Sequence, residues 1–251
     1  MAPSIVVDSV SKRFTLRRVR RLQERLVRAV RGEDLSNTVQ ALHGVSLRVE
    51  RGESVALMGL NGSGKSTLLK LISGVMPPDT GSVRVGGRVA GLIDVGAGLH
   101  PDLTGRQNIY LNAAILGMTE AEIRRKFDEI VAFAGIRRFL DTEVKFYSSG
   151  MFMRLGFSVA VHTEPDVFLI DEILAVGDPP FRRSCHARIQ ELRKQGHTLV
   201  IVAHDTNMLR QLCDRGIVLH EGEVVYDGGI NEAAAYVADN VDRNGVSNRV
   251  R

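Results

Sequence analysis

Three glycines, a lysine and several hydroxyl side chains lie close together in the first third of the chain. The run reads Gly59-Leu60-Asn61-Gly62-Ser63-Gly64-Lys65-Ser66-Thr67. It fits the pattern G-x-x-x-x-G-K-[ST], in which glycines let backbone N–H groups converge on a phosphate at a helix N-terminus. Lys65 is predicted to reach the β- and γ-phosphates, and Ser66 to ligate Mg²⁺. The candidate nucleotide contacts are Gly59, Asn61, Gly62, Ser63, Gly64, Lys65, Ser66 and Thr67.

Two carboxylates follow an apolar run about a hundred residues later. Residues 167–170 read Val-Phe-Leu-Ile, and Asp171 and Glu172 come directly after them. The run predicts a buried strand that ends in two acids. Asp171 is suited to hold Mg²⁺ through water, and Glu172 to polarise an attacking water molecule.

A third group of small residues precedes a helical pattern. It reads Tyr147-Ser148-Ser149-Gly150-Met151. A hydroxyl side chain and free N–H groups at a helix start can bind an anion. Taken alone, the same residues would indicate only a helix cap.

The elements that position these residues alternate along the chain. Strands are predicted at 5–10, 41–49, 54–58, 82–85, 88–93, 167–170 and 198–203, with a hairpin at 216–225 that turns at Glu221-Gly222. Helices are predicted at 66–73, 108–116, 120–134, 150–161, 181–195, 207–213 and 232–238. Alternating strands and helices with apolar strands favour a parallel sheet covered on both faces, interrupted by a helical insert at about 103–161.

Composition excludes several protein classes. The 251 residues are 44% hydrophobic and 25% charged, which is typical of a globular domain and not of disordered or fibrous chains. No apolar run approaches the roughly 20 residues of a membrane span, and the first residues lack the pattern of a secretory signal. We therefore expect synthesis and residence in the cytosol. Cys185 and Cys213 are predicted to be core thiols rather than a disulfide or metal site.

Positive charge is concentrated in one segment. Residues 12–31 contain nine basic residues and one acidic residue, a local charge of +8 in a chain whose net charge is +4. Because the rest of the chain is then net negative, we expect no nucleic-acid partner. Apolar residues recur every three or four positions, which predicts a basic amphipathic helical insertion over 12–38. It suits an anionic membrane surface or a partner's edge, although a solvated helix has the same pattern.

Together these motifs resemble the ATP-binding cassette ATPases, over about residues 4–238. Further motifs of that family occur in order, with Asp178 at the end of the D-loop, His204 as the switch histidine and Phe14 as the aromatic that stacks on adenine. The resemblance implies an α/β fold, a P-loop NTPase core with a mostly parallel sheet. To this it adds an N-terminal antiparallel β-subdomain and the helical subdomain that carries the signature.

Family membership also implies a mechanism. Two copies would meet head to tail around two ATP molecules, with Lys65 and His204 of one copy facing the signature residues of the other. Those signature residues are Ser148, Ser149 and Gly150. Glu172 and His204 would be the catalytic residues, so that ATP binding closes the dimer and hydrolysis reopens it.

Several stretches resemble one branch of the family, the exporters of lipid-linked O-antigen, capsule and teichoic acid. These are residues 95–109, 147–157 and 170–178. In most cassettes a glutamine that contacts Mg²⁺ stands where this chain has Val95. The neighbouring Asp94 is a candidate third metal ligand, or simply a turn residue.

The branch implies a peripheral subunit on the cytoplasmic face of the cytoplasmic membrane, beneath two copies of a multi-span permease. Residues 239–251 are expected to fray, leaving no room for a C-terminal carbohydrate-binding domain, so the permease should recognise the lipid-linked glycan. Alternatives are an exporter of another lipid or peptide, and a soluble ABC ATPase outside transport. Glu172 and His204 argue against a sensor that does not hydrolyse ATP.

Overall fold

The computed structural model describes residues 3–16, 37–92, 98–171, 177–203 and 205–241. The strands in these residues are β1 (Ile5–Leu16), β2 (Asn37–Val49), β3 (Ser54–Met58), β4 (Thr80–Val85), β5 (Val89–Leu92), β6 (Val167–Asp171), β7 (Thr198–Val202), β8 (Arg215–His220) and β9 (Glu223–Gly229). The α-helices are α1 (Lys65–Ile72), α2 (Gly105–Ile115), α3 (Glu120–Ala134), α4 (Ser149–Val161), α5 (Pro179–Lys194), α6 (Thr206–Leu212) and α7 (Ile230–Tyr236). Short 3₁₀ turns cover Arg137–Phe139 and Val144–Phe146.

A six-stranded sheet forms the centre of the protein, in the order β5-β6-β7-β3-β8-β9. Neighbours from β5 to β8 are parallel, and β9 is antiparallel to β8. Every residue of β3 and β7 is buried, as expected for parallel strands covered on both faces. The predicted α/β fold with a mostly parallel sheet is confirmed.

The two faces of this sheet contribute to different apolar cores. Along β6, Phe168 and Ile170 join one core while Val167 and Leu169 join the other. The Phe168 core packs against α4 to α7, and the Leu169 core packs against α1 and the N-terminal sheet. Full burial of one such side chain stabilises the fold by about 1.5–3 kcal/mol.

The N-terminal sheet has the order β2-β1-β4 and is antiparallel throughout. The predicted helical insertion over 12–38 is wrong at both ends, because Lys12 pairs with Leu42 and Thr15 with Thr38 in the β1–β2 ladder. The physical reason is tertiary: Asp79 accepts hydrogen bonds from Lys12 Nζ and from the Arg13 backbone N–H, both at 2.7 Å, and holds this stretch beside β4. Residues 17–36 lie outside the described residues.

Three helices, α2, α3 and α4, form a third apolar core. In sequence they lie between β5 and β6 of the central sheet. Capping boxes begin α2 at Thr104 and α3 at Thr119, each completed by the side chain three residues later. Gly135 ends α3 in the left-handed conformation. α4 belongs to two cores, since Leu155 joins the helical core and Phe157 joins a core of the central sheet.

The C-terminal helix differs slightly from its prediction. α7 begins at Ile230 instead of 232 and continues into a π-helical turn over Val237–Val241. Of the tail expected to fray, residues 239–241 therefore lie in this turn and the rest lies outside the described residues. Within the part of the chain that is described, no helix is both long and apolar enough to cross a membrane.

Candidate nucleotide-binding site

One edge of the central sheet gathers the predicted chemical groups. β6, β7 and β3 are adjacent and parallel, so their carboxyl ends lie side by side. The glycine-rich loop follows β3, Asp171 ends β6, and Ala203 follows β7. Ligands of open parallel sheets bind at this carboxyl edge.

The loop after β3 has a backbone that only glycine adopts easily. Gly59, Gly62 and Gly64 have φ values of 134°, 84° and 107°. A Cβ atom on Gly59 would lie 2.1 Å from the Leu219 carbonyl oxygen. The glycines are thus required by close backbone approach as well as by φ.

Lys65 and the start of α1 make the loop a site for anions. Lys65 is 7% exposed, and its Nζ donates to the carbonyl oxygens of Gly59 at 2.8 Å and Leu60 at 2.9 Å. Gly64 is the N-cap of α1, with no side chain bonded to the cap and no acid in the first turn. The helix N–H groups and the ammonium therefore fit a phosphate chain.

The other predicted nucleotide contacts surround this helix start. Asn61, Gly62 and Ser66 are exposed, and Thr67 is half-buried. Ser63 is 4% exposed, and its Oγ has no hydrogen-bond partner in the described part of the chain.

Oxygen donors at the edge suit Mg²⁺. Asp171 is half-buried at the end of β6, where it pairs with Val202 of β7. The Ser66 hydroxyl and the Asp171 carboxylate are hard ligands of the kind that Mg²⁺ uses together with phosphate oxygens. Glu172, His204 and Asp94 are the predicted residues that lie outside the described part of the chain.

Phe14 lies on the strand pair that borders the loop. It pairs with Val39, and both side chains are exposed, at 36% and 49%. Two residues further along β2, the Ala41 carbonyl oxygen would lie 2.7 Å from a Cβ atom on Gly64. Phe14 is thus an exposed aromatic side chain on the strand pair that meets the loop at Gly64, and its contact with adenine stays a prediction.

The signature residues form the amino end of α4. Ser148 is the N-cap, and its Oγ accepts a hydrogen bond from the Met151 N–H at 3.2 Å. Ser148 and Ser149 are exposed, and Gly150 is half-buried. These residues therefore present a hydroxyl-lined helix start to the surface.

Tyr147 fixes the chain just before this helix start. Its hydroxyl donates to the Phe139 carbonyl oxygen at 2.7 Å. A Cβ atom on Gly105 would lie 2.1 Å from that hydroxyl oxygen. Gly105 therefore makes room for the side chain that orients the approach to Ser148. Burial raises the pKa of Tyr147, which keeps the hydroxyl protonated as a donor.

Sequence reasoning identified Asp178 but missed its partner, Arg154. Asp178 is the N-cap of α5, accepting from the Phe181 N–H at 3.3 Å, and it also pairs with the Arg154 guanidinium of α4. The guanidinium lies 5.1 Å from the centre of the Phe181 ring. Burial acts to raise the pKa of Asp178, but the Arg154 hydrogen bond and charge lower it overall. α4 and α5 are thereby joined beside the signature residues.

Known proteins are similar to this chain in sequence. Residues 42–175 match the ABC transporter family. The chain is 46% identical to the ABC transporter protein AbcA of Aeromonas salmonicida, over 90% of this chain and 73% of that protein. It is 43% identical to the O-antigen export system ATP-binding protein RfbB of Myxococcus xanthus, over 92% of this chain and 55% of that protein.

Another export protein and two solved structures are also similar to this chain. Identity to the teichoic acids export ATP-binding protein TagH of Levilactobacillus brevis is 49%, over 72% of this chain and 50% of that protein. A solved ATP-binding subunit of an ABC transporter superposes with a TM-score of 0.74 at 25% identity, covering 93% of each chain. A dimeric cassette bound to ADP and Pi superposes with a TM-score of 0.72 at 24% identity, over 90% of this chain and 98% of that one. With the phosphate loop, the strand-end acid and the capped signature helix in place, this chain belongs to the ABC transporter family and is one of its ATPases.

Proposed function

We propose that this chain is the ATP-hydrolysing subunit of an exporter that moves a lipid-linked polysaccharide across the cytoplasmic membrane. The observation that carries the proposal is the similarity to export ATP-binding proteins for O-antigen and teichoic acid, at 43% and 49% identity. O-antigen and teichoic acid exporters are also the branch whose motifs this sequence resembles, and a lipid-linked polysaccharide of that kind is the proposed cargo here.

The phosphate loop binds ATP in this proposal. Backbone N–H groups at the start of α1 and the Lys65 ammonium hold the phosphates, and Phe14 stacks on the adenine. Ser66 and Asp171 hold Mg²⁺, with Asp94 as a candidate third ligand. When bound, Mg²⁺ neutralises negative charge on the phosphates.

Glu172 and His204 perform the hydrolytic step. In sequence, Glu172 comes directly after Asp171 and His204 comes two residues after β7. Glu172 polarises the attacking water, and His204 contacts the γ-phosphate. Support comes from the order of the strands, because β6 and β7 are hydrogen-bonded neighbours.

A second copy of the chain completes the site. The exposed helix start at Ser148, Ser149 and Gly150 offers a hydroxyl and N–H groups to the γ-phosphate held by the other copy. Closure around two ATP molecules on the cytoplasmic face of the membrane then drives two copies of a multi-span permease. The permease holds the lipid-linked glycan.

The test is complementation in the source cell. Deleting the chain should leave lipid-linked glycan inside the cell and remove it from the surface, and the wild-type chain should restore export. Lys65→Ala should fail to restore it, while Lys194→Ala, an exposed change at the end of α5, should succeed. Normal surface glycan in the deletion strain, with a different lipid or peptide retained, would favour the other exporter class.

A further inference from the structure

The turn between β8 and β9 lies directly against the phosphate loop. The Gly222 N–H donates to the Ser63 carbonyl oxygen at 3.0 Å, and the His43 N–H donates to the Gly222 carbonyl oxygen at 2.9 Å. One residue of the turn is therefore hydrogen-bonded to the loop on one side and to β2 on the other.

No side chain fits at Gly222. Its φ is +83°, and a Cβ atom there would lie 2.7 Å from the Ala41 carbonyl oxygen and 2.8 Å from His43 Cδ2. The phosphate loop also lies close to β2 and β8. A Cβ atom on Gly64 would lie 2.7 Å from the same Ala41 oxygen, and one on Gly59 would lie 2.1 Å from the Leu219 oxygen. Three chain segments thus meet backbone to backbone.

The hydrogen bond from Gly222 reaches Ser63, which lies in the middle of the phosphate loop. Within the loop, the Ser63 N–H donates to the Leu60 carbonyl oxygen at 3.1 Å, and its side chain is almost wholly buried. The bond from Gly222 satisfies the Ser63 carbonyl oxygen and sets the direction of the peptide that leads into Gly64 and α1. The N–H groups predicted to bind phosphate are in that stretch.

We propose that Gly222 is a positioning residue for the ATP site, which holds the phosphate loop in its binding shape through Ser63. The inference rests on the proposed function of the loop and adds a residue about 160 positions away in sequence that none of the motifs includes. Gly222 touches no substrate in this account. It acts through the loop backbone.

The experiment compares two alanine variants with equal backbone strain. Gly196 has φ +84°, and a Cβ atom there would have no neighbouring atom within 4 Å, so Gly196→Ala matches Gly222→Ala in strain but contacts nothing. We expect Gly222→Ala to weaken ATP binding by about tenfold or more, and Gly196→Ala by less than about twofold. KM for ATP should rise while kcat at saturating ATP stays within about twofold of wild type.

Tripolyphosphate separates an effect on the phosphates from an effect on the base. Its binding, measured by displacement of a fluorescent ATP analogue, should weaken in Gly222→Ala by the same factor as ATP binding. Unchanged tripolyphosphate binding, or equal behaviour of the two alanine variants, would overturn the proposal. Failure of the wild-type chain to bind ATP would instead overturn the proposed function.

A measurement on the wild-type chain covers the case in which Gly222→Ala does not fold. Amide hydrogen exchange should slow on ATP binding in residues 219–223 together with residues 59–66, because the turn and the loop are held by one another. The proposal would be contradicted if ATP slowed exchange in the loop and left exchange in the turn unchanged.

Discussion

Lys65 Nζ donates hydrogen bonds to the carbonyl oxygens of Gly59 and Leu60, which hold its ammonium within the phosphate loop. We expect Lys65→Ala to raise the dissociation constant for ATP by about tenfold or more, because a charge-assisted contact made in the ground state is lost. Titration with a fluorescent ATP analogue measures this. Lys194→Ala is the matched control, and equal affinities in the two variants would remove Lys65 from the phosphate site.

The two cysteines give a second prediction for single residues. Burial raises the pKa of Cys185 and of Cys213 to about 12. Both thiols therefore stay protonated at pH 8, where only a thiolate reacts. We expect a disulfide reagent to label the folded chain at least about tenfold more slowly than the urea-unfolded chain. Rapid labelling of either thiol in the folded chain would contradict the core assignment.

The roles of residues that are adjacent in sequence could be predicted. Contacts between residues that are distant in sequence could not. The spacing of Gly64, Lys65 and Ser66 is fixed by their direct chemical task, so the sequence alone identifies them. Arg154 and Asp178 are 24 residues apart on different helices, and no local periodicity relates them. Their pairing follows only from how α4 packs against α5.

At the scale of elements, β1 and β2 are longer than predicted because each stabilises the other. Residues 11–16 and 37–40 carry many polar side chains and lack the apolar alternation that marks a strand in sequence. Their extended form comes from the β1–β2 ladder and from Asp79. The start of α2 was predicted three residues late. Its capping box lies before the apolar stripe, so the hydrophobic pattern alone misses the first turn.

Leu16 and Asn37, which flank residues 17–36 in sequence, pair directly in the β1–β2 ladder. A two-residue Asn-Gly turn is sufficient to join such a pair. We expect replacement of 17–36 by Asn-Gly to leave the thermal midpoint of the chain unchanged and to change its ATP affinity by less than about twofold.

The same replacement tests the basic segment as a docking element. It removes most of the local positive charge, and each basic residue near an anionic leaflet is worth about 1 kcal/mol. Binding to vesicles with acidic lipid should fall sharply at low salt and differ little from wild type at high salt. Undiminished binding to the vesicles and to the permease would show that the segment does not dock.

The Arg154–Asp178 pair is a link between two helices, and a double-mutant cycle tests it. Asn caps helices as well as Asp does, so Asp178→Asn removes the ion pair while keeping the cap on α5. We expect the double variant with Arg154→Ala to be no less stable in urea than Arg154→Ala alone. Additive losses would show that the two side chains act independently.

For the whole molecule, the proposed cycle requires that ATP close two copies and that hydrolysis reopen them. Glu172→Gln should bind ATP normally and slow hydrolysis by about 100-fold or more, since the group that polarises water is lost. Size-exclusion chromatography with ATP and Mg²⁺ should then show a stable dimer, and the wild-type chain should return to monomer as ATP is consumed. Adding Lys65→Ala should abolish the dimer, and near-normal turnover by Glu172→Gln would exclude this residue as the base.

α4 contributes Leu155 and Val159 to the helical core and Phe157 and Val161 to a core of the central sheet. Unfolding of either core alone would expose one apolar face of α4 to water while the other stayed packed. The helical region is therefore not a separate folding unit, although it is a separate cluster of helices. On heating, we expect the helical core and the cores of the central sheet to unfold in one transition, with the calorimetric and van't Hoff enthalpies equal.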